Sequence, residues 1–242
     1  MTKDIHHHPT EETLIAYANG NITGGYSLLL ATHLAFCPQC RAEIQRLENI
    51  GGAVFAQDEG ITVSEGALEN VMSKLDALEM TSSTQANTSQ AGASSGKYLS
   101  LNSPKSGEPS AEQIPELPLP LRDMLPTDFN NLQWRTLAPG IKHYPLPVDD
   151  HHKGTTRLLK IAPGTCLPEH DHHGSELTLV LKGAYSDEIG RFKAGDIADI
   201  NEDIRHQPIA DTHEDCICLI ATDAPLKFTG LVPRMLQSFI GI

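Results

Sequence analysis

His33, Cys37 and Cys40 place one imidazole and two thiols within a single short helical stretch. On a helix, positions i and i+4 share a face, so His33 and Cys37 approach a common point and Cys40 joins them from three residues on. Soft sulfur and borderline nitrogen donors in this pattern suit tetrahedral Zn²⁺, which in a structural site takes four N or S ligands. A histidine run, His6-His7-His8, precedes the first helix and can supply the fourth. The plainer reading of the same spacing is a pair of buried thiols.

A second set of donors lies far along the chain, in Gly164-x5-His170-x-His172-x3-Glu176-x6-Gly183. In a strand, i and i+2 point to one face, so His170 and His172 project together while Asp171 turns away. Glu176 opens the next apolar run, and His206 can return from another strand to complete a site of three histidines and one carboxylate. Such a set suits a divalent metal such as manganese or iron. His143, His151, His152, His173 and His213 lack comparable partners and read as solvated surface residues. Cys216 and Cys218 share a strand face but, as an extended i, i+2 pair, are poorly placed for an unstrained disulfide. They read either as a reversible redox pair or as two core thiols.

The elements that must position these donors change period along the chain. Thr10 can cap a first helix with Glu11 and Glu12 in its first turn, Leu14, Tyr17 and Ala18 on one face, and Gly20 at its end. A second helix is expected from about Gly24 to Phe36, and a third from about Pro38 to Ile50, stopped by Gly51-Gly52. Thr62-x-x-Glu65 forms a capping box for a fourth, amphipathic helix with Leu68, Val71, Leu75 and Leu78 on one stripe. Residues 81–110 then hold nine serines, followed by Pro115-Glu-Leu-Pro-Leu-Pro120. Such a segment cannot bury enough apolar surface to offset its ordering entropy, so it reads as a linker. Beyond it, strands are expected at Thr155 to Ile161, Leu177 to Leu181, Asp196 to Ile200 and Cys216 to Thr222, with Gly- and Pro-containing turns between them. The expectation is an α + β chain of two domains: a small zinc-bound helical bundle over residues 1–80, a linker over 81–119, and an antiparallel barrel or jelly roll over 120–242.

Among 242 residues, 18 Lys and Arg face 31 Asp and Glu, a formal charge of −13. Residues 1–80 carry four basic and eleven acidic side chains, so both halves disfavour a phosphate backbone and no direct nucleic-acid partner is expected. No stretch approaches the roughly 20 apolar residues of a membrane span, and no signal-like segment opens the sequence. Five cysteines, four of them in C-x-x-C or C-x-C pairs, fit metal or redox use in a reducing compartment. The cytoplasm is the expected location.

The Gly164 to Gly183 stretch resembles the first motif of the cupin superfamily, whose fold is a double-stranded β-helix that binds a divalent metal. The second cupin motif departs from the usual pattern, with Gly190, Ala194-Gly195-Asp196 and then His206. Joined to His33-x3-Cys37-x2-Cys40, the order of parts resembles the ChrR type of zinc-binding anti-sigma factor over nearly the whole chain. That resemblance implies an N-terminal zinc domain that holds an extracytoplasmic-function (group IV) sigma factor away from RNA polymerase, and a cupin domain that senses an oxidant or small-molecule signal. It implies His8, His33, Cys37 and Cys40 as zinc ligands and His170, His172, Glu176 and His206 as cupin ligands. It also associates Cys216 and Cys218 with a C-x-C pair. Leu68, Val71 and Leu75 would then contact the sigma factor as a helix in a groove. On this reading the chain is not an enzyme and has no catalytic residue; the alternative is a metal-dependent cupin enzyme of the dioxygenase or isomerase class.

Overall fold

The structure, a computed structural model, describes residues 4–58, 60–84, 117–148, 154–171, 174–201, 204–223 and 227–228. The helices are α1 (Glu11–Ala18), α2 (Gly24–Phe36), α3 (Pro38–Phe55), α4 (Ala67–Thr84) and the short α5 (Leu119–Arg122). The strands are β1 (Arg135–Ala138), β2 (Ile141–Pro145), β3 (Thr155–Ile161), β4 (His170–Asp171), β5 (Glu176–Lys182), β6 (Ala184–Ser186), β7 (Arg191–Lys193), β8 (Ile197–Ile200), β9 (Ile209–Ala210), β10 (Cys216–Thr222) and β11 (Lys227–Phe228). By packing, Met1–Val54 and Ile114–Ile242 form one compact unit and Phe55–Gln113 another. The division thus falls at Phe55 rather than at residue 80, and α1–α3 share a unit with the strands. Most of the expected linker, residues 85–116, lies outside the described residues.

The larger unit is built on a six-stranded antiparallel sheet in the order β1-β2-β3-β10-β5-β8, faced by a three-stranded sheet in the order β7-β6-β9. This is the cupin-like jelly roll. Both faces of the large sheet are covered. Between the two sheets lie Leu159, Val180, Tyr185, Phe192, Ala198, Ile200, Cys216 and Cys218. On the outer face, Leu158, Leu177, Leu179, Leu219 and Ala221 pack against Tyr26, Leu29 and Leu30 of α2 and Leu121 of α5. Burial on both faces explains why β5 and β10 read as near-continuous apolar runs rather than as alternating strands. Gly183 closes the β5–β6 turn at φ +70°, and a Cβ there would meet the Asp215 carbonyl oxygen at 2.7 Å, so only glycine fits.

Two expected helix boundaries differ. α3 runs through Gly51-Gly52 to Phe55, because a glycine costs only about 1 kcal/mol inside a helix and stops one only when a left-handed turn follows. α4 starts at Ala67 after Gly66 at φ +79°, so Thr62 and Glu65 stand before the helix and form no capping box. Thr10, by contrast, caps α1, its hydroxyl oxygen accepting from the Thr13 N–H at 3.3 Å.

Candidate metal centres

The first centre forms where the end of α2, the start of α3 and the segment before α1 converge. His33 leaves the last turn of α2, Cys37 follows as its C-cap and Cys40 sits in the first turn of α3. The kink between the two helices turns three donors from neighbouring turns toward one point. His8 reaches that point from the chain leading into α1. Its Nδ1 stands 3.4 Å from Cys40 Sγ and 3.5 Å from Cys37 Sγ, and His33 Nε2 stands 3.4 Å from Cys40 Sγ. All four donor atoms lie within 4.8 Å of one another; His33, Cys37 and Cys40 are buried and His8 partly so. A tetrahedral zinc bonded at about 2.3 Å to sulfur and about 2.0–2.1 Å to nitrogen separates N and S donors by about 3.5 Å. The spacing therefore fits zinc, and two thiolates would neutralise its charge in a buried site. His6 is exposed with its Nε2 on Asp4, and His7 packs at a tilt on Phe192, so the structure directs only the third histidine of the run to the thiols.

His33 Nδ1 lies 3.0 Å from the Gly195 carbonyl oxygen, an acceptor, so this nitrogen carries the proton and Nε2 offers its lone pair to the cluster. Burial pushes the His33 imidazole down to about 4, against the opposing pull of the Gly195 hydrogen bond. Burial also pushes the Cys40 thiol up to about 12, helped by the neighbouring Cys37.

The second centre lies inside the jelly roll. His170, Glu176 and His206 are all buried, with donor atoms within 4.8 Å of one another. His170 of β4 and His206 face each other across an isolated antiparallel bridge, Nε2 to Nε2 at 3.1 Å. His170 Nδ1 lies 2.9 Å from the Pro168 carbonyl oxygen, and His206 Nδ1 lies 2.9 Å from Asp187 Oδ2. Both partners are acceptors, so both Nδ1 atoms carry protons in the neutral rings and two lone pairs meet at Nε2. A cation held between them by His170, His206 and Glu176 would relieve that opposition. Two nitrogens on one metal at about 2.0–2.1 Å lie about 3.3 Å apart in a tetrahedron and about 2.9 Å apart at a right angle. The observed spacing admits either. Glu176 Oε1 accepts from the Thr178 hydroxyl at 2.9 Å, which fixes the carboxylate. His172 lies outside the described residues.

Asp187 was not singled out in the sequence, and Asp196 entered only as the start of a strand and part of the departing second cupin motif. Asp187 is legible there only as a turn residue ahead of Gly190. Asp196 is fully buried, and its Oδ1 accepts from the His6 and His7 N–H groups at 2.7 and 3.1 Å. His143, expected on the surface, is half-buried in β2 opposite Leu159, with Nδ1 enclosed and, among the described residues, without a hydrogen-bond partner. His213 is exposed, while His151, His152 and His173 lie outside the described residues. Cys216 and Cys218 are buried free thiols with sulfurs 3.6 Å apart. In the second unit, Leu68, Val71 and Leu75 of α4 are 69%, 54% and 49% exposed. No helix among the described residues is long and apolar enough to cross a membrane.

Compared with known proteins, residues 123–225 match the family described as the ChrR Cupin-like domain. Over 238 residues the chain is 37% identical to Anti-sigma-E factor ChrR of Cereibacter sphaeroides, covering 98% of this chain and 99% of that one. Among solved structures it is similar to the crystal structure of Rhodobacter sphaeroides SigE in complex with the anti-sigma ChrR. That similarity has a TM-score of 0.68 and 35% identity, over 90% of this chain and 99% of that one. With a thiol-imidazole cluster at one end, a jelly roll at the other and identity running through both, the chain belongs to the ChrR family of anti-sigma factors.

Proposed function

We propose that this chain is a zinc-dependent anti-sigma factor that sequesters a group IV sigma factor and releases it when the jelly-roll domain senses an oxidative signal. The observation that carries the reading is identity to an anti-sigma factor across both halves together with a cluster of two cysteines and two histidines at zinc spacing. Zinc held by His8, His33, Cys37 and Cys40 would join α1, α2 and α3, where the local core of Leu14, Ile44 and the two cysteines is too small to order three helices by itself. Residues 1–80 supply the inhibitory surface, with Leu68, Val71 and Leu75 of α4 buried against the sigma factor. The charge of −13 suits a partner whose basic surfaces otherwise serve polymerase or DNA, and the chain itself contacts no nucleic acid.

The barrel centre, His170, Glu176 and His206 with His172, would hold zinc, manganese or iron and act as the sensor. When bound there, the metal supplies a site for an oxidant or small molecule to coordinate. The chain's own residues orient the two imidazoles through Pro168 and Asp187 and hold Glu176 through Thr178. Cys216 and Cys218, buried between the sheets near this centre, would serve as a reserve of reversible oxidation. The protein acts in the cytoplasm and performs no catalysis.

The test is co-expression of the full chain with the sigma factor encoded beside it. Copurification in equal amounts, lost in Cys37→Ala, supports the reading; failure of the wild-type chain to copurify or to silence a sigma-dependent reporter rejects it.

A further inference from the structure

β7 is three residues long, and each of its ends is attached to a different metal centre. Ahead of it, the Asp187 N–H donates to the Gly190 carbonyl oxygen at 2.9 Å, while Asp187 Oδ1 accepts from the Ile189 and Gly190 N–H groups at 2.9 and 3.1 Å. Asp187 Oδ2, on the same carboxylate, holds His206 Nδ1. The side chains of His206 and Asp187 are 2% and 0% exposed. After β7, Asp196 Oδ2 accepts from the Lys193 N–H at 2.9 Å, and its Oδ1 takes the His6 and His7 N–H groups. The Ile197 N–H donates to the His7 carbonyl oxygen at 3.2 Å, and the adjacent Gly195 carbonyl takes His33 Nδ1. The His7 ring bridges the two ends. It packs on Phe192 of β7 with ring centroids 4.3 Å apart, and a Cβ built at Gly190 would lie 3.5 Å from its Nε2.

Two of the four donors of the first centre are thus oriented from one end of β7: His33 through Gly195, and His8 through the pinned backbone of the two residues before it. A donor of the second centre is oriented from the other end. In both centres an acceptor on this hairpin fixes the proton on Nδ1 of a histidine and aims Nε2 at the donor cluster, an arrangement whose loss typically weakens metal binding about 10–100-fold.

We propose that β7 with Asp187 and Asp196 is a shared support for the two metal centres, so that occupancy of one raises the affinity of the other. This rests on the metal-binding reading above. A cation on His206 Nε2 makes Nδ1–H a stronger donor to Asp187, which orders the turn leading into β7. The far end, Gly195-Asp196, is then already ordered when zinc meets His8 and His33. By thermodynamic reciprocity zinc favours the barrel cation by the same factor. Asp187 and Asp196 are positioning residues: neither belongs to the donor clusters themselves.

The test uses the full-length reduced chain stripped of metal. Cobalt(II) first reports the cysteine cluster through thiolate-to-cobalt charge-transfer absorption, which the barrel donors cannot produce. The protein is then prepared with no zinc or with one equivalent, which the thiolate cluster takes first, and is titrated with manganese(II), a cation that prefers N and O donors. Free manganese is read by electron paramagnetic resonance. Zinc-loaded protein is expected to bind manganese about fivefold more tightly or better, and Asp187→Asn and Asp196→Asn to abolish the difference. The wild-type comparison needs no variant, so it stands even where a variant folds poorly. Manganese affinity equal within about twofold with and without zinc overturns the coupling and leaves the metal reading intact. Absence of the charge-transfer band overturns the metal reading itself.

Discussion

Cys40 and His33 respond to burial in opposite senses, and both end neutral near pH 7: the thiol is pushed up to about 12 and the imidazole down to about 4. Zinc bound at this cluster would therefore have to displace a proton from Cys40 but not from His33. Its apparent affinity is expected to rise by about tenfold per pH unit for each proton displaced, read by chelator competition between about pH 6 and pH 8. His33 also sets a folding signature for metal-free protein. Its folded pKa lies below the ordinary 6.5, so the unfolded chain binds the extra proton and stability falls as pH drops below 6.5 toward 4. Urea titrations of metal-free protein, with His33→Gln as control, check the sign. The donors were legible as side-chain types at short spacing, from His33 to Cys40 and from His170 to Glu176. Their supports were not. Asp196 meets His6 190 positions away in the chain and Asp187 meets His206 19 positions away, and local periodicity carries no record of such partners.

α2 and α4 place leucines in contrasting surroundings. Leu29 and Leu30 of α2 are fully buried against the outer face of the large sheet. Truncating either to alanine is expected to cost about 2–5 kcal/mol, measured by urea unfolding of the whole chain. Leu68→Ala, Val71→Ala and Leu75→Ala in α4 are expected to stay within about 0.5 kcal/mol of wild-type stability. Together they should nonetheless weaken sigma-factor binding, by more than about 1 kcal/mol at whichever position fills a pocket, as titration calorimetry would report. Legibility mostly followed length. β3, β5 and β10, seven residues each and largely apolar or β-branched, were visible, as was the shorter β8 after its Gly195 turn; β1, β2, β6, β7 and β9 have two to five residues and leave no period to read. α2 shows why the docking of helices on the sheet was hidden. Its apolar residues lie nearly all round, with Leu28, Leu29 and Leu30 in succession, so no single stripe marks the sheet-facing side.

For the whole molecule, the finding that matters most is that α1–α3 and the jelly roll belong to one packed unit, although composition suggested two modules joined by a linker. Removing residues 120–242 would expose Tyr26, Leu29 and Leu30 and delete Gly195 and Asp196 from beside the zinc donors. A fragment of residues 1–84 is therefore expected to hold zinc more weakly than the full chain, by about 10-fold or more in chelator competition, and to recover when a sigma factor covers the exposed face. Sensing and inhibition would then communicate through shared packing. The most direct test of the central claim is transcription from a sigma-dependent promoter with purified RNA polymerase, the group IV sigma factor and this chain. The account predicts that the zinc-loaded chain abolishes transcripts at one equivalent per sigma factor and that Cys37→Ala with Cys40→Ala does not. Undiminished transcription with excess zinc-loaded chain would contradict it.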